Sequence, residues 1–312
     1  MTLFAPPPPW ARPVSDPNDE LVAGRVRPAG SKGRFGLFGV PFDGAVLGRR
    51  GAAGGPDAIR REIAALKPWT FGRGAFDAGI VEWGNVVVPK DDVPAAHAAV
   101  AKAAAEVAAE GQFPLALGGD HSITFPLVSA LAADDRKIGV VNLDAHLDVR
   151  EVHAGRITSG TPFGRLLDAG LVRPENLVEV GVRDFATSPF YGRKVEDLGV
   201  GVVTAAMARE EGVAAVVEDA VKRAARGTRG VYLSVDLDVL DQAHGPGVSA
   251  PTPDGFTSGE LLAAIRVAAA SGKLVGADFV EVAPDLDEGA RTARAAAFGV
   301  LTLVAALPGV PR

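Results

Sequence analysis

The strongest constraint on the fold of this 312-residue chain is its alternation of short apolar runs with longer helical stretches. The apolar runs occupy residues 35–40, 113–117, 138–143, 177–182, 200–203, 231–237 and 274–282. Helical periodicity covers residues 56–66, 93–109, 125–133, 213–225, 258–270 and 290–306. Strands that are apolar along their whole length are buried on both faces, as in a parallel sheet covered by helices. The pattern therefore predicts an α/β fold, a three-layer α/β/α sandwich with a mostly parallel sheet.

The first 33 residues differ from the rest of the chain. They are rich in Pro and Gly and have no periodicity, which predicts an extended N-terminal arm or a mobile tail. No internal repeat and no mid-chain linker is evident after this arm. Residues 34–312 are therefore predicted to form a single domain.

Composition excludes several classes of function. The chain has no cysteine, so disulfides, thiolate metal sites and thiol nucleophiles are ruled out. Its net charge of -6 and the absence of a basic face are untypical of nucleic-acid binders, and we expect no nucleic-acid partner. The N-terminus does not resemble a signal peptide and no run of 18 apolar residues occurs, so no membrane partner is expected. These features predict a cytoplasmic protein.

Polar clusters follow three of the apolar runs, where a parallel sheet places its ligand site. The segment GGDHS occupies residues 118–122, DAHLD occupies 144–148, and Asp236 and Asp238 end the run at 231–237. Residues two apart in extended chain point to the same side. We therefore expect Asp144, His146 and Asp148 to converge, and Asp236 with Asp238 to do the same.

Together with His121, these clusters bring four carboxylates and two imidazoles to neighbouring strand ends. Each cluster alone is compatible with a helix cap or a solvated turn, but their combination in this order favours a metal centre. Carboxylates crowded together repel one another unless cations neutralise them, and two divalent ions balance four negative charges. Oxygen-rich sites with some imidazole suit Mn²⁺ better than Zn²⁺. Two such ions about 3.5–4 Å apart share a water molecule and lower its pKa.

In this order, GGDHS, DAHLD and SVDLDVLD (residues 234–241) resemble the ureohydrolase family of arginases, agmatinases and formimidoylglutamases. Segments 51–60 and 278–284 also resemble motifs of that family, and the resemblance spans roughly residues 35–304. It implies an arginase-like fold in which residues 34–312 form a ureohydrolase-like catalytic domain. It further implies two Mn²⁺ ions per subunit and a homo-oligomer, either a trimer or a hexamer.

The resemblance also implies a role for each site residue. One metal would bind His121, Asp144, Asp148 and Asp236. The other would bind Asp144, His146, Asp236 and Asp238, so that Asp144 and Asp236 bridge. Glu281 would pair with an amidinium or guanidinium group, whose planar fork suits a bidentate carboxylate. Asp148, or a water hydrogen-bonded to it, would carry a proton to the leaving nitrogen.

The substrate is predicted from segments 144–150, 158–163 and 241–251, which look most like the formimidoylglutamases of the family. Ser159 stands where agmatinases tend to have a proton-transferring histidine. Arg150 follows Asp148 by two residues and is expected to face the cleft, and Arg183 after the run at 177–182 is a further candidate substrate contact. An arginine attracts a substrate that carries carboxylates and repels cationic agmatine. The prediction is hydrolysis of N-formimidoyl-L-glutamate to L-glutamate and formamide, a step in histidine degradation.

Two alternatives stay open from the sequence. An agmatinase or a guanidino-acid hydrolase of the same family would use the same metal ligands and release urea. A non-catalytic metal-binding protein on the same fold would have the ligands without turnover. A dinucleotide-binding oxidoreductase is disfavoured, because the Gly-rich run at residues 48–55 lacks a G-x-G-x-x-G between a strand and a helix.

Overall fold

A computed structural model describes residues 2–10, 16, 18–132 and 137–309 of the chain. Residues 11–15 and 17 of the predicted arm, and the predicted helix end at residue 133, lie outside the described residues. Among the described residues, no helix is both long enough and apolar enough to cross a membrane.

The described strands form one large sheet and one short hairpin. Their bounds are β1 Phe4–Ala5, β2 Arg27–Pro28, β3 Phe35–Gly39, β4 Trp69–Thr70, β5 Gly74–Ala75, β6 Ile80–Val86, β7 Phe113–Leu117, β8 Gly139–Leu143, β9 Leu177–Val182, β10 Gly201–Thr204, β11 Val231–Asp236 and β12 Leu274–Val280. The large sheet runs β1-β6-β3-β7-β12-β11-β8-β9-β10, with β2 also on β6. Only β1 is antiparallel within that sheet, and β4 pairs with β5 separately. The predicted mostly parallel sheet is therefore confirmed.

The α-helices of the described residues are α1 Gly55–Ala64, α2 Val93–Ala109, α3 Thr124–Leu131, α4 Pro162–Asp168, α5 Pro189–Leu198, α6 Ala205–Glu211, α7 Val213–Ala224, α8 Ser258–Ala270 and α9 Arg291–Ala306. All six predicted helices are present, but helices α4, α5 and α6, strand β6 and the two-residue strands β1, β2, β4 and β5 were not predicted. Strand β6 was missed because Glu82 interrupts its apolar pattern. The Glu82 carboxylate is buried against the Arg60 guanidinium at 2.8 Å, so the charge is paired inside the protein.

Two hydrophobic cores lie on opposite faces of the sheet. Alternate side chains of each strand point to opposite faces, so Leu115 and Leu117 enter one core and Ala116 enters the other. Helices α1 and α6–α9 pack on the first face, and α2–α5 pack on the second. This arrangement is the predicted three-layer α/β/α sandwich.

The described part of the N-terminal arm packs against the rest of the chain. Strand β1 pairs with β6, Val22 is fully buried in one core, and the Trp10 indole donates to Glu82 at 3.1 Å. An unpaired edge strand exposes its backbone polar groups. The arm therefore covers the edge of β6 and completes the sheet.

Candidate metal centre and substrate cavity

The candidate site lies at the carboxyl ends of four adjacent strands. Strands β7, β12, β11 and β8 are neighbours in the sheet and run parallel, so the segments after them meet at one edge. His121 follows β7, Glu281 follows β12, Asp236 ends β11 and Asp144 follows β8. The topology thus brings together residues that are far apart in sequence.

Close backbone packing holds the GGDHS segment in place. A Cβ atom on Gly119 would lie 1.7 Å from the carbonyl oxygen of Phe42, so no side chain fits there. Asp120 accepts hydrogen bonds from the backbone amides of Ala45 at 2.8 Å and Ser122 at 3.0 Å. Burial raises the pKa of Asp120 to about 6 despite these bonds. Asp120 therefore fixes the turn that presents His121.

The six predicted ligands form two overlapping groups. His121 Nδ1 lies 3.1 Å from Asp144 Oδ2, 3.0 Å from Asp148 Oδ2 and 3.1 Å from Asp236 Oδ2. His146 Nδ1 lies 2.9 Å from Asp238 Oδ2 and 3.4 Å from Asp144 Oδ1. Candidate donor atoms in each group lie within 4.8 Å of one another, and Asp144 belongs to both groups. Asp236 belongs to the first group.

The hydrogen bonds behind His121 determine its tautomer. Ser234 Oγ donates its proton to Asp278 at 2.7 Å, so it can only accept from His121 Nε2 at 2.9 Å. Asp278 also accepts from the hydroxyls of Thr124 and Tyr232 at 2.8 and 3.0 Å. His121 Nε2 therefore carries a hydrogen, and Nδ1 faces the carboxylates without a hydrogen-bond partner. A histidine held in this way is a typical metal ligand.

The electrostatics of the site favour the binding of cations. Burial alone would lower the pKa of His121, but the carboxylates of Asp144, Asp148 and Asp236 raise it well above its usual value. Burial, together with Asp238 and Asp144, raises the pKa of Asp236 well above normal. Both shifts mean that the carboxylates outweigh the positive charge near them. The donor set thus fits divalent ions, which would supply that charge.

Asp148 and Glu281 both adopt a backbone conformation that is unusual for non-glycine residues. Their φ angles are 47° and 68°, which costs on the order of 1–3 kcal/mol at each position. The surroundings hold Glu281 firmly, since its amide donates to Gly119 O at 2.9 Å and its Oε1 accepts from His121 N at 2.7 Å. Burial, reinforced by Asp120, raises the pKa of Glu281 to about 8. Its Oε2 has no partner among the described residues, which leaves one carboxylate oxygen for a ligand.

A cavity of about 240 Å³ opens onto these residues. We call one group of lining residues the floor; it consists of His146, Asp148, Asp236, Asp238 and Glu281. We call a second group the wall; it consists of Leu47, Arg150, Ser159, Thr187, Ser188 and Tyr191. A ligand in this cavity can contact residues of both groups.

Of the predicted substrate contacts Arg150, Ser159 and Arg183, the first two line the cavity and the third does not. Arg150 and Ser159 line the cavity, and the Ser159 hydroxyl accepts from the Leu47 amide at 3.2 Å. Arg183 does not line it. Arg183 is 6% exposed and donates to backbone carbonyls, including those of Gly181, Val239 and, at 3.3 Å, Asp238. The expectation that Arg183 contacts substrate is therefore corrected, because its guanidinium is occupied in holding the segment that carries Asp238.

Several residues of the site were not predicted. Ser234 and Asn142 each precede a metal ligand by two residues, so the strand periodicity could have indicated them. Asn142 donates to Asp144 Oδ2 at 3.0 Å and to Glu179 Oε2 at 2.7 Å. Tyr191 gave no comparable signal, because it lies on the unpredicted helix α5.

Comparison with known proteins agrees with this geometry. A model of the arginase family matches residues 33–305. The chain belongs to the arginase family. It is 44% identical to formimidoylglutamase of Halobacterium salinarum over 297 residues, which cover 92% of this chain and 94% of that protein. The match confirms the predicted family and its fold.

Solved structures of two relatives have the same architecture. The crystal structure of formimidoylglutamase from Bacillus subtilis superposes with a TM-score of 0.90 at 28% identity, covering 96% of both chains. A Trypanosoma cruzi formiminoglutamase solved with Mn²⁺ superposes with a TM-score of 0.85 at 26% identity, covering 94% of this chain and all of that one. The ligand groups described above, together with that manganese-containing relative, support a binuclear metal site in this member of the family.

Proposed function

We propose that this chain hydrolyses N-formimidoyl-L-glutamate to L-glutamate and formamide, a step in histidine degradation. The observation that carries this proposal is that acidic residues and an arginine line the same cavity. The free Glu281 Oε2 lies on the floor, and the Arg150 guanidinium lies on the wall. The substrate has a cationic amidinium at one end and carboxylates at the other, which complements both groups. The similarity to formimidoylglutamase of Halobacterium salinarum supports the same substrate.

The proposed cofactor is a pair of Mn²⁺ ions in each subunit. Their ligands would be His121, Asp144, Asp148 and Asp236 for one ion, and Asp144, His146, Asp236 and Asp238 for the other. Carboxylate oxygens with two imidazoles suit Mn²⁺, and the similar Trypanosoma cruzi enzyme was solved with that metal. When bound, such a pair lowers the pKa of water and polarises the bond under attack.

The protein residues would orient the substrate and move a proton. Glu281 would hold the amidinium fork through its free oxygen, so that the amidine carbon lies over the floor. Addition of water to that carbon is followed by cleavage of the bond to the glutamate nitrogen, which takes up a proton. Asp148 is placed to carry it, directly or through a water molecule, because it lines the cavity beside the other candidate ligands. The products are then formamide and free glutamate.

A guanidino-acid hydrolase is the second candidate function. A guanidino acid also combines a planar cation with a carboxylate, so Glu281 and Arg150 would suit it equally. Agmatine fits less well, because its free amine would face the guanidinium of Arg150. The distinguishing product is urea in place of formamide.

A substrate panel with the Mn²⁺-loaded protein tests the proposal. The panel contains N-formimidoyl-L-glutamate, 4-guanidinobutyrate, agmatine and arginine, with formamide and urea measured separately. Formamide from the first substrate alone is the expected result. Urea from one of the others, without formamide, would reject the proposed substrate while keeping the metal site.

We further propose that the enzyme is a cytoplasmic homo-oligomer, a trimer or a hexamer. Exposed aromatic side chains support self-association, since Trp69 is 56%, Phe71 101% and Phe298 45% exposed around a second cavity. Such apolar patches on a soluble protein commonly mark interfaces. Light scattering coupled to size exclusion measures the number of subunits, and a monomer would reject this part of the proposal.

A further inference from the structure

A feature of the wall that neither the family motifs nor the metal ligands explain is the tyrosine of helix α5. Tyr191 lines the cavity beside Arg150, whose guanidinium carbon lies 5.8 Å from the centre of the tyrosine ring. Arg150 lies in the loop after β8, and Tyr191 lies in helix α5, which follows β9. Two polar side chains from separate elements therefore meet at one place in the cavity.

The hydrogen bonds of Tyr191 determine which further hydrogen bonds its hydroxyl group can form. The hydroxyl oxygen accepts a hydrogen bond from the Glu151 backbone amide at 3.2 Å, and this bond fixes the position of the oxygen. Within the described part of the chain, no acceptor takes the hydroxyl proton. A tyrosine hydroxyl carries one donor, so this proton is available to a ligand in the cavity. The ring is thus held in place while its donor is left for another partner.

The charges around the ring favour an anion at that donor. Arg150 makes no side-chain hydrogen bond to a described residue, and Lys194 Nζ lies 5.9 Å from the ring centre. Among the described residues, the carboxylate paired with this group is that of Glu151, which is 3.5 Å from Lys194. Two cations against one carboxylate leave a net positive charge beside the hydroxyl. A carboxylate placed there would accept from Arg150 and from Tyr191 together.

We infer that Tyr191 is a specificity residue, which donates its hydroxyl proton to the substrate carboxylate that Arg150 binds. The inference rests on the proposed function, in that it requires a substrate with a carboxylate. It adds a direct contact from the β9–α5 segment to the substrate site. Hydrogen bonds to charged groups contribute more than neutral ones, so the contact discriminates against amidines with an uncharged tail.

Tyr191→Phe tests this contact, since it removes the hydroxyl and keeps the ring. With N-formimidoyl-L-glutamate we expect KM to rise about tenfold and kcat to stay within about twofold. With N-butylformamidine, which has no carboxylate, KM should be the same in the variant and the parent. Phe190→Leu is the matched control, because Phe190 packs on Tyr191 without lining the cavity. Equal effects on both substrates, or none on either, would overturn the inference.

A second comparison separates direct contact from displacement of Arg150, which neighbours the Glu151 amide. In an Arg150→Met background, Tyr191→Phe should still raise KM for the carboxylate substrate at least about threefold. If it has no further effect there, Tyr191 acts only by positioning Arg150, and the inference is wrong.

Failure of the proposed function can be distinguished from failure of the inference. If the parent enzyme does not turn over N-formimidoyl-L-glutamate but hydrolyses 4-guanidinobutyrate, the proposed substrate is rejected. The same variants are then compared on that guanidino acid, whose carboxylate should show the same dependence on Tyr191.

Discussion

The floor and the wall of the cavity are built from different parts of the fold. Floor residues such as Asp236 and Asp238 stand at or just after the end of a buried strand, and both are 2% exposed. Wall residues such as Arg150 and Tyr191 come from the segments after β8 and β9, and they are exposed or only half-buried. The sheet thus holds the groups that need fixed geometry, while the loops provide the groups that select a substrate. Substitutions on the two sides should therefore have different kinetic signatures.

Asp144→Ala should have the largest effect, because Asp144 belongs to both candidate ligand groups. Loss of an outer-shell partner of a metal ligand costs about 10- to 100-fold, so loss of a shared ligand should exceed about 100-fold in turnover. Metal analysis after gel filtration should show fewer than two ions per subunit. The exposed Asp184→Ala is the matched control, and it should keep full activity. A variant that retains two ions and normal turnover would show that Asp144 is not a shared ligand.

Asp278→Asn tests whether the hydrogen bonds that orient His121 contribute to metal affinity. Asp278 accepts hydroxyl protons from Ser234, Thr124 and Tyr232, and an amide cannot accept all three equally. His121 should then lose its fixed orientation, and Mn²⁺ affinity should fall about 10- to 100-fold. Titration of metal into the stripped enzyme measures this, and excess Mn²⁺ should restore most of kcat. The exposed Asp285→Asn should titrate like the parent protein. Unchanged affinity in Asp278→Asn would mean that Ser234 alone sets the histidine tautomer.

Arg150→Met should change the wall and leave the floor intact. We expect KM for N-formimidoyl-L-glutamate to rise about tenfold, the low end for a charged hydrogen bond, because the side chain is exposed. Metal content should stay at the parent value, and agmatine should become a better substrate. Arg156→Met, in the same loop but outside the cavity, is the control. A loss of metal in Arg150→Met would show that wall and floor are not independent.

The same contrast explains how far the sequence could predict the site. The candidate metal ligands and Glu281 end or follow apolar strands, and a parallel sheet brings its strand ends together, so motif and topology predicted that these residues meet. Arg183 also follows a strand, but its side chain turns beneath the site to the carbonyl of Val239, and sequence position alone does not report that direction. Tyr191 depends on the path of the segment after β9 and on helix α5, which carry no periodic signal strong enough to place them.

The smallest expected effect concerns the hydrogen bonds of His97, near His121. His97 Nδ1 accepts from Arg165 at 3.1 Å, so its Nε2 donates to Ser122 at 3.0 Å, next to His121. Burial, reinforced by the charge of Arg165, lowers the pKa of His97 to about 3. The unfolded chain, with an ordinary pKa of 6.5, therefore binds this proton at a higher pH than the folded protein does.

The contribution of His97 to stability should be complete above pH 6.5 and should be lost as the pH falls from there toward about 3. The slope for one such proton is at most about 1.4 kcal/mol per pH unit. Urea unfolding of the metal-saturated protein at several pH values measures it, and His97→Gln should remove that part of the slope. Equal slopes in the two proteins would mean that His97 is protonated in the fold. In that case Arg165 could not donate to His97, and the hydrogen bonds near His121 would differ from those described above.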